Sequence, residues 1–140
     1  MDAIVMLRND HATVEKLFKT FEAGDLSVVP RICDELDLHA ELEEELFYPS
    51  VRAEVDDTDD EVLEAVEEHH VVKLLIAELR ELAPSDETYK AKATVLMENV
   101  RHHIEEEEGE MFPAVRSALG RKRLQEIGAR MDEARSAMAG

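Results

Sequence analysis

One repeat constrains this chain more than any other feature. HAELEEELFYPSVR, from His39 to Arg52, returns as HIEEEEGEMFPAVR, from His103 to Arg116, with seven of fourteen positions identical. In both copies a histidine is followed by glutamate at +2, +4 and +5, by proline at +10 and by Val-Arg at +12 and +13. On a helix of about 100° per residue, positions i and i+4 lie about 40° apart on one face. His39 therefore shares a face with Glu43, and His103 with Glu107. Leu46, seven residues after His39, marks that face as apolar and inward. Glu41, Glu45, Glu105 and Glu108 fall on the flanks or the outer face, where a solvated charge costs little. Tyr48 comes about 180° round from His39 and reads as a surface or interface tyrosine at the helix end.

A second repeat lies on the other two helical segments. HATVEKLFKTF from His11 and HHVVKLLIAEL from His69 share Val at +3, Leu at +6 and bulky apolar residues at +7 and +10. The register selects His69 over His70. It sets His11 on a stripe with Val14, Leu17 and Phe18, and His69 with Val72, Leu75 and Ile76. Each of four helices thus contributes one inward histidine.

The remaining residues agree with an all-α protein. Aromatics are 4%, Trp is absent, and there are five Gly and four Pro in 140 residues, which suits helices better than a sandwich or barrel. The apolar spacing predicts helices from about Ile4 to Ala23, from about Ser27 to Tyr48 with Pro49 ending or kinking it, from the acidic DDTDDE stretch (Asp56 to Glu61) to about Ala83, and from about Asp86 to Glu108 or Met111. The expected architecture is an up-down-up-down four-helix bundle in a single domain, 1-140. The bundle takes up about residues 1-116, and a short, peripheral C-terminal helix about 120-138.

Charge and hydropathy narrow the partners. A net charge of −18 opposes a phosphate backbone, whose binding rests on Lys and Arg displacing counterions, so nucleic acid is not an expected partner. The same charge argues against an anionic membrane surface, and no apolar run approaches the roughly 20 residues of a spanning helix. MDAIVMLRND lacks the features of a signal peptide, so a cytoplasmic location is expected. Cys33 has no second thiol for a disulfide or metal site, and reads as a small buried apolar residue.

A single histidine on an apolar stripe is ordinarily a hydrogen-bonded core residue. Four of them with two inward glutamates are a different matter. Two buried, unpaired carboxylates would cost several kcal/mol each, and the sequence offers no inward Arg to pair them. Metal ions remove that cost, and helical bundles build two-metal carboxylate sites from facing helices in this way.

The order His11, then His39 with Glu43, then His69, then His103 with Glu107, resembles the hemerythrin-like, or HHE cation-binding, domain over roughly residues 1 to 120; the proline ten residues after each motif histidine belongs to the likeness. The resemblance implies a non-haem centre of two iron ions, bridged by the two carboxylates and an oxo or hydroxo group, with the histidines completing each iron. The oxygen-carrying hemerythrins have a further histidine four residues after the one on the third helix. Here that position is Lys73, read as a lost ligand facing the cavity, which leaves two open coordination positions where the carriers have one. Glu15, four residues after His11, is a candidate seventh ligand or a solvated carboxylate. His102 replaces His103 if the register slips, and Glu110 joins the site if its helix continues through Gly109.

Imidazole with carboxylate suits iron, and zinc or manganese can occupy the same cage. The expected function is binding or turnover of dioxygen, peroxide or nitric oxide, with catalase-like activity as the enzymatic form. The alternative is a non-enzymatic oxygen, nitric oxide or iron sensor or store, and a third reading is a purely structural metal bundle. An activity requires a protonable group beside the open site, for which Tyr48, Tyr89, Glu15 and Glu110 are candidates.

Overall fold

The computed structural model describes residues 1–139. Helix α1 (Ala3–Glu22) starts at Asp2, whose carboxylate accepts the Val5 N–H at 2.9 Å. Asp25 caps a short 3-10 turn, Leu26–Val28, by accepting from Ser27. Helix α2 (Val29–Leu42) then runs through a π-turn (Glu43–Phe47) into α3 (Tyr48–Glu54) as one rod. Helix α4 spans Asp59–Glu81, with Asp59, Asp60 and Glu61 favourably placed in its positive first turn. Helix α5 (Tyr89–Glu106) passes through a second π-turn (Glu107–Met111) into α6 (Phe112–Ala139), which bends at Gly120, where φ is 77°. Among the described residues these rods form a four-helix bundle with a long fifth segment laid against it.

Of the two outcomes expected at Pro49, ending or kinking, the helix is not ended, and Pro113 does not end its helix either. In each π-turn a backbone N–H reaches five residues back, from Tyr48 to the Glu43 carbonyl and from Phe112 to the Glu107 carbonyl. Pro49 and Pro113 come next, in the first turn of the resumed helix, where a missing N–H costs least. The wider turn also takes in one extra residue, which shifts the downstream faces by about 100°. Leu46 is half-buried as a result, while Phe47 and Tyr48 are buried.

The C-terminal helix beyond Gly120 has the expected extent but is not peripheral. Leu124, Ile127 and Met131 are at most 1% exposed and pack into the core with Ala3, Leu7, Val51 and Val115. At Gly128 a Cβ would stand 2.3 Å from the Met1 carbonyl oxygen, so glycine is what lets this helix approach the start of α1.

Two apolar clusters fill the bundle. One gathers Leu7, Leu42, Phe47, Tyr48, Val62 and Phe112. The other gathers Val14, Phe18, Ile32, Leu36, Ile76 and Leu96. Val14 and Leu7 lie on either side of His11 on α1, and the buried histidines and glutamates form a polar layer between the clusters.

Candidate metal centre

Each rod brings one histidine to this layer: His11 from α1, His39 from α2, His69 from α4 and His103 from α5. Glu43 and Glu107 open the two π-turns. All six are buried, the two glutamates at 0% and 2% exposure. Their donor atoms fall into two groups, His11 with His39 and Glu107, and Glu43 with His69 and His103. Glu43 Oε1 lies 2.9 Å from His39 Nε2 and 3.3 Å from His69 Nε2. Glu107 lies 3.2 Å from His11 Nε2 through Oε1 and 3.4 Å from His103 Nε2 through Oε2. Each carboxylate therefore faces a histidine of both groups.

The layer's own hydrogen bonds do not satisfy it. His11 Nε2, His39 Nε2, both oxygens of Glu43 and Glu107 Oε1 are buried without a hydrogen-bond partner, because those short approaches lack hydrogen-bonding alignment. Buried polar atoms are otherwise nearly always paired. The His69 and His103 Nε2 atoms lie 3.1 Å apart, although in neutral imidazoles at most one of two such nitrogens can donate to the other. Lone pairs and carboxylate oxygens converging on one buried layer fit cations, and nitrogen with oxygen donors suits first-row transition ions.

The electrostatics of the layer's own side chains point the same way. Burial alone would lower the His39 pKa, but the charge of the adjacent Glu43 carboxylate and the hydrogen bond to Asp10 push it up to about 10. His103 is likewise pushed up to about 10 against its burial, chiefly by Glu107. Protons thus stand in for positive charge that the two carboxylates demand.

All four histidines direct Nδ1 outward to a carboxylate. His39 meets Asp10 at 2.9 Å, His69 meets Glu44 at 3.1 Å, His103 meets Glu68 at 2.6 Å and His11 meets Glu108 at 2.6 Å. The partners run round the bundle in a ring, each histidine held from the preceding helix and His11 from the last. Such contacts fix ring orientation and leave Nε2 for a metal. The sequence reading missed this ring and set Glu108 among the solvated charges. A signal was present, since Asp10 and Glu68 precede a site histidine by one residue while Glu44 and Glu108 follow a site glutamate by one.

Tyr48 is a correction. It is 1% exposed, and its hydroxyl donates to Glu107 Oε2 at 2.5 Å while lying 3.4 Å from His69 Nε2 and 3.3 Å from His103 Nε2. The π-turn after Glu43 rotates it from the expected outer face to the interior. Burial, then the charges of Glu43 and Glu107, raise its pKa well above 10 and keep the phenol protonated. Tyr89 is buried at the far end, in the cluster with Cys33.

The three secondary ligand candidates lie elsewhere. Glu15 pairs with Arg101 at 2.8 Å. His102 is exposed and pairs with Glu106 at 2.8 Å, because the register does not slip. Glu110 is exposed, since the second π-turn carries it off the His103 face and leaves Met111 buried there. Lys73 lies along the cavity wall as expected, but its ammonium turns to Glu44 at 2.8 Å and the side chain is 46% exposed. That cavity touches all four histidines and is otherwise walled largely by Val14, Leu36, Val72, Ile76, Val100 and Ile104. Tyr48, Glu43 and Glu107 do not line it, so it opens onto the histidine side of the layer. Among the described residues no helix is long and apolar enough to cross a membrane.

Comparison with known proteins agrees with this geometry. The family model for the hemerythrin HHE cation binding domain matches residues 2–115. A hemerythrin HHE cation binding domain-containing protein from Mycobacterium kansasii has a crystal structure that superposes with a TM-score of 0.80 at 22% identity, covering 98% of this chain and 89% of that one. A protein described as a DNA nickase from Nostoc sp. is 27% identical over 136 residues, which is 94% of this chain and 38% of that protein. The chain thus spans well under half the length of this relative.

Proposed function

This chain belongs to the hemerythrin HHE cation-binding domain family, and on that premise we propose that it holds two non-haem iron ions and binds or turns over dioxygen, peroxide or nitric oxide. His11, His39, Glu43, His69, His103 and Glu107 would be the ligands. The observation that carries this reading is the set of orphaned buried donor atoms inside a ring of four carboxylate-held imidazoles. When bound, two such ions supply Lewis-acid and redox chemistry toward small oxygen and nitrogen species.

The chain's own residues supply the rest. Asp10, Glu44, Glu68 and Glu108 hold the imidazoles with Nε2 inward. Val14, Leu36, Val72, Ile76, Val100 and Ile104 give the approaching ligand apolar walls, which admit a small neutral molecule at less cost than an anion. Tyr48 holds a proton on its hydroxyl beside Glu107 Oε2. In a catalase-like cycle, two peroxides yield one dioxygen and two waters, and the protons moved between oxygens need a local carrier. Tyr48 would be that carrier, acting from the side of the layer away from the apolar cavity.

A sensing role draws support from a separate observation, that the matched segment is 38% of the Nostoc relative, so a domain of this kind serves there within a longer protein. Contact with DNA is not assigned to this domain, whose charge of −18 opposes it.

Metal analysis with an absorption spectrum, followed by oxygen release on adding peroxide, tests the proposal. The expectation is about two irons per chain, as bundle carboxylate sites hold, with near-ultraviolet charge-transfer bands and measurable oxygen release. Iron binding without oxygen release would favour the sensor or store. Absence of bound iron after anaerobic loading would overturn both.

A further inference from the structure

Beyond residue 115, where the family match ends, α6 carries a residue that reaches toward the polar layer. Leu124, Ile127 and Met131 seat this helix in the core, and Gly128 brings its backbone against Met1. One turn after Met131, Arg135 extends both terminal nitrogens to Asp10: Nη1 donates to Oδ1 at 2.9 Å and Nη2 to Oδ2 at 2.6 Å. The same Oδ2 accepts from His39 Nδ1 at 2.9 Å. An unbroken chain of contacts therefore runs from the C-terminal helix through Asp10 to one imidazole of the layer.

This arrangement differs from its three counterparts. Glu44 meets a cation, Lys73, on a half-exposed side chain, whereas Glu68 and Glu108 have no Lys or Arg partner among the described residues. Only Asp10 is gripped by a two-pronged guanidinium, a geometry that fixes a carboxylate's plane as well as its position. Arg135 also leaves its own Nε buried without a partner. A residue serving only to attach α6 to α1 could be a plain apolar side chain like Met131, with no such cost.

We infer that Arg135 is a positioning residue for His39: by clamping Asp10 it fixes the imidazole plane, so that the C-terminal helix governs metal affinity at the His11–His39 half of the centre. This rests on the two-ion reading above. Asp10 held by one bond could pivot and take Nδ1 with it. Held by two, it presents Oδ2 to His39 in one orientation.

The test is calorimetric titration of the full-length metal-free chain with Co²⁺, whose visible absorption also reports ligand geometry. His39→Ala identifies which binding step belongs to that half. Arg135→Gln is expected to weaken that same step about tenfold, the lower range for loss of a partner that orients a ligand, and to change its absorption, while the other step stays within about twofold. Arg135→Lys, which keeps the charge but cannot fork, should fall between the parent and Arg135→Gln. Asp10→Asn should reproduce the loss, with the double variant little worse than either single one. If Arg135→Gln weakens both steps in parallel, weakens neither, or adds fully to Asp10→Asn, Arg135 is a structural tie and the inference fails while the two-ion reading stands. If the parent binds no Co²⁺, the two-ion reading falls and takes this inference with it.

Discussion

Tyr48 and Glu107 meet in the middle of the bundle, the phenol of one repeat donating to the carboxylate of the other across 2.5 Å. The contact joins α3 to the second π-turn and places a proton beside the histidines. Tyr48 reaches this point through the π-turn before it, whereas Glu107 is set inward by its regular four-residue spacing from His103.

Tyr48→Phe keeps the ring and removes the proton. Stability should fall by about 2 kcal/mol, as for a lost hydrogen bond to a charged group, with iron content unchanged. Peroxide turnover per bound iron should fall about a hundredfold, the lower range for a positioned proton donor. Matched metal analysis, urea unfolding and oxygen-release rates on the two proteins check this. Unaltered turnover at equal iron would remove Tyr48 from the chemistry.

The ring of carboxylates makes a separate prediction. Glu68→Gln and Glu108→Gln should each weaken metal binding about tenfold or more, because each removes the carboxylate at His103 or His11. Glu105→Gln, an equal loss of charge on an exposed neighbour, should leave affinity within about twofold. Equal effects from all three would mean that net charge, and not ring orientation, sets the affinity.

Metal-free protein should lose stability as pH rises. His39 and His103 titrate near 10 in the fold against an ordinary 6.5. Their protonated forms therefore stabilise the fold fully below about 6.5, and that contribution is lost on the way up through about 10. Urea midpoints measured near pH 6.5 and near pH 10 should differ in that direction, and the difference should shrink in a His39→Gln/His103→Gln double variant. Metal uptake near neutral pH should release protons, since the ions replace them on Nε2.

Gly128→Ala tests how closely the C-terminal helix is seated. Its Cβ would meet the Met1 carbonyl at 2.3 Å and the Ala3 nitrogen at 2.9 Å. These are backbone atoms that cannot swing aside, so a loss of about 1–3 kcal/mol is expected. An unchanged thermal midpoint would show that α6 rests on α1 only loosely.

The bundle and its six inward residues were legible because histidine and apolar spacing follow a 3.6-residue period through α1, α2, α4 and α5. The period fails at the two π-turns. Beyond them, Tyr48 and Glu110 exchange the inner and outer faces that regular counting assigns, although the proline ten residues after each histidine marks where the interruption lies. The carboxylate ring was hidden for another reason. Asp10, Glu44, Glu68 and Glu108 each act on a neighbouring helix, and no single-helix period reports that. The seating of α6 could have been read from Leu124, Ile127 and Met131 at three- and four-residue spacing. Arg121, Lys122, Arg123 and Arg130 surround that stripe with charge and mask it in the composition of the segment.

Anaerobic iron loading of the metal-free chain, counted by metal analysis after removal of free iron and run beside His39→Ala and Glu107→Gln, bears most directly on the two-ion centre. The parent should retain about two irons per chain, as carboxylate-bridged bundle sites do, and each variant should retain fewer, with a lower thermal midpoint than the loaded parent because metal that binds only the folded chain stabilises it. Retention of the full complement by both variants, or of no iron by the parent, would contradict a centre built from these residues.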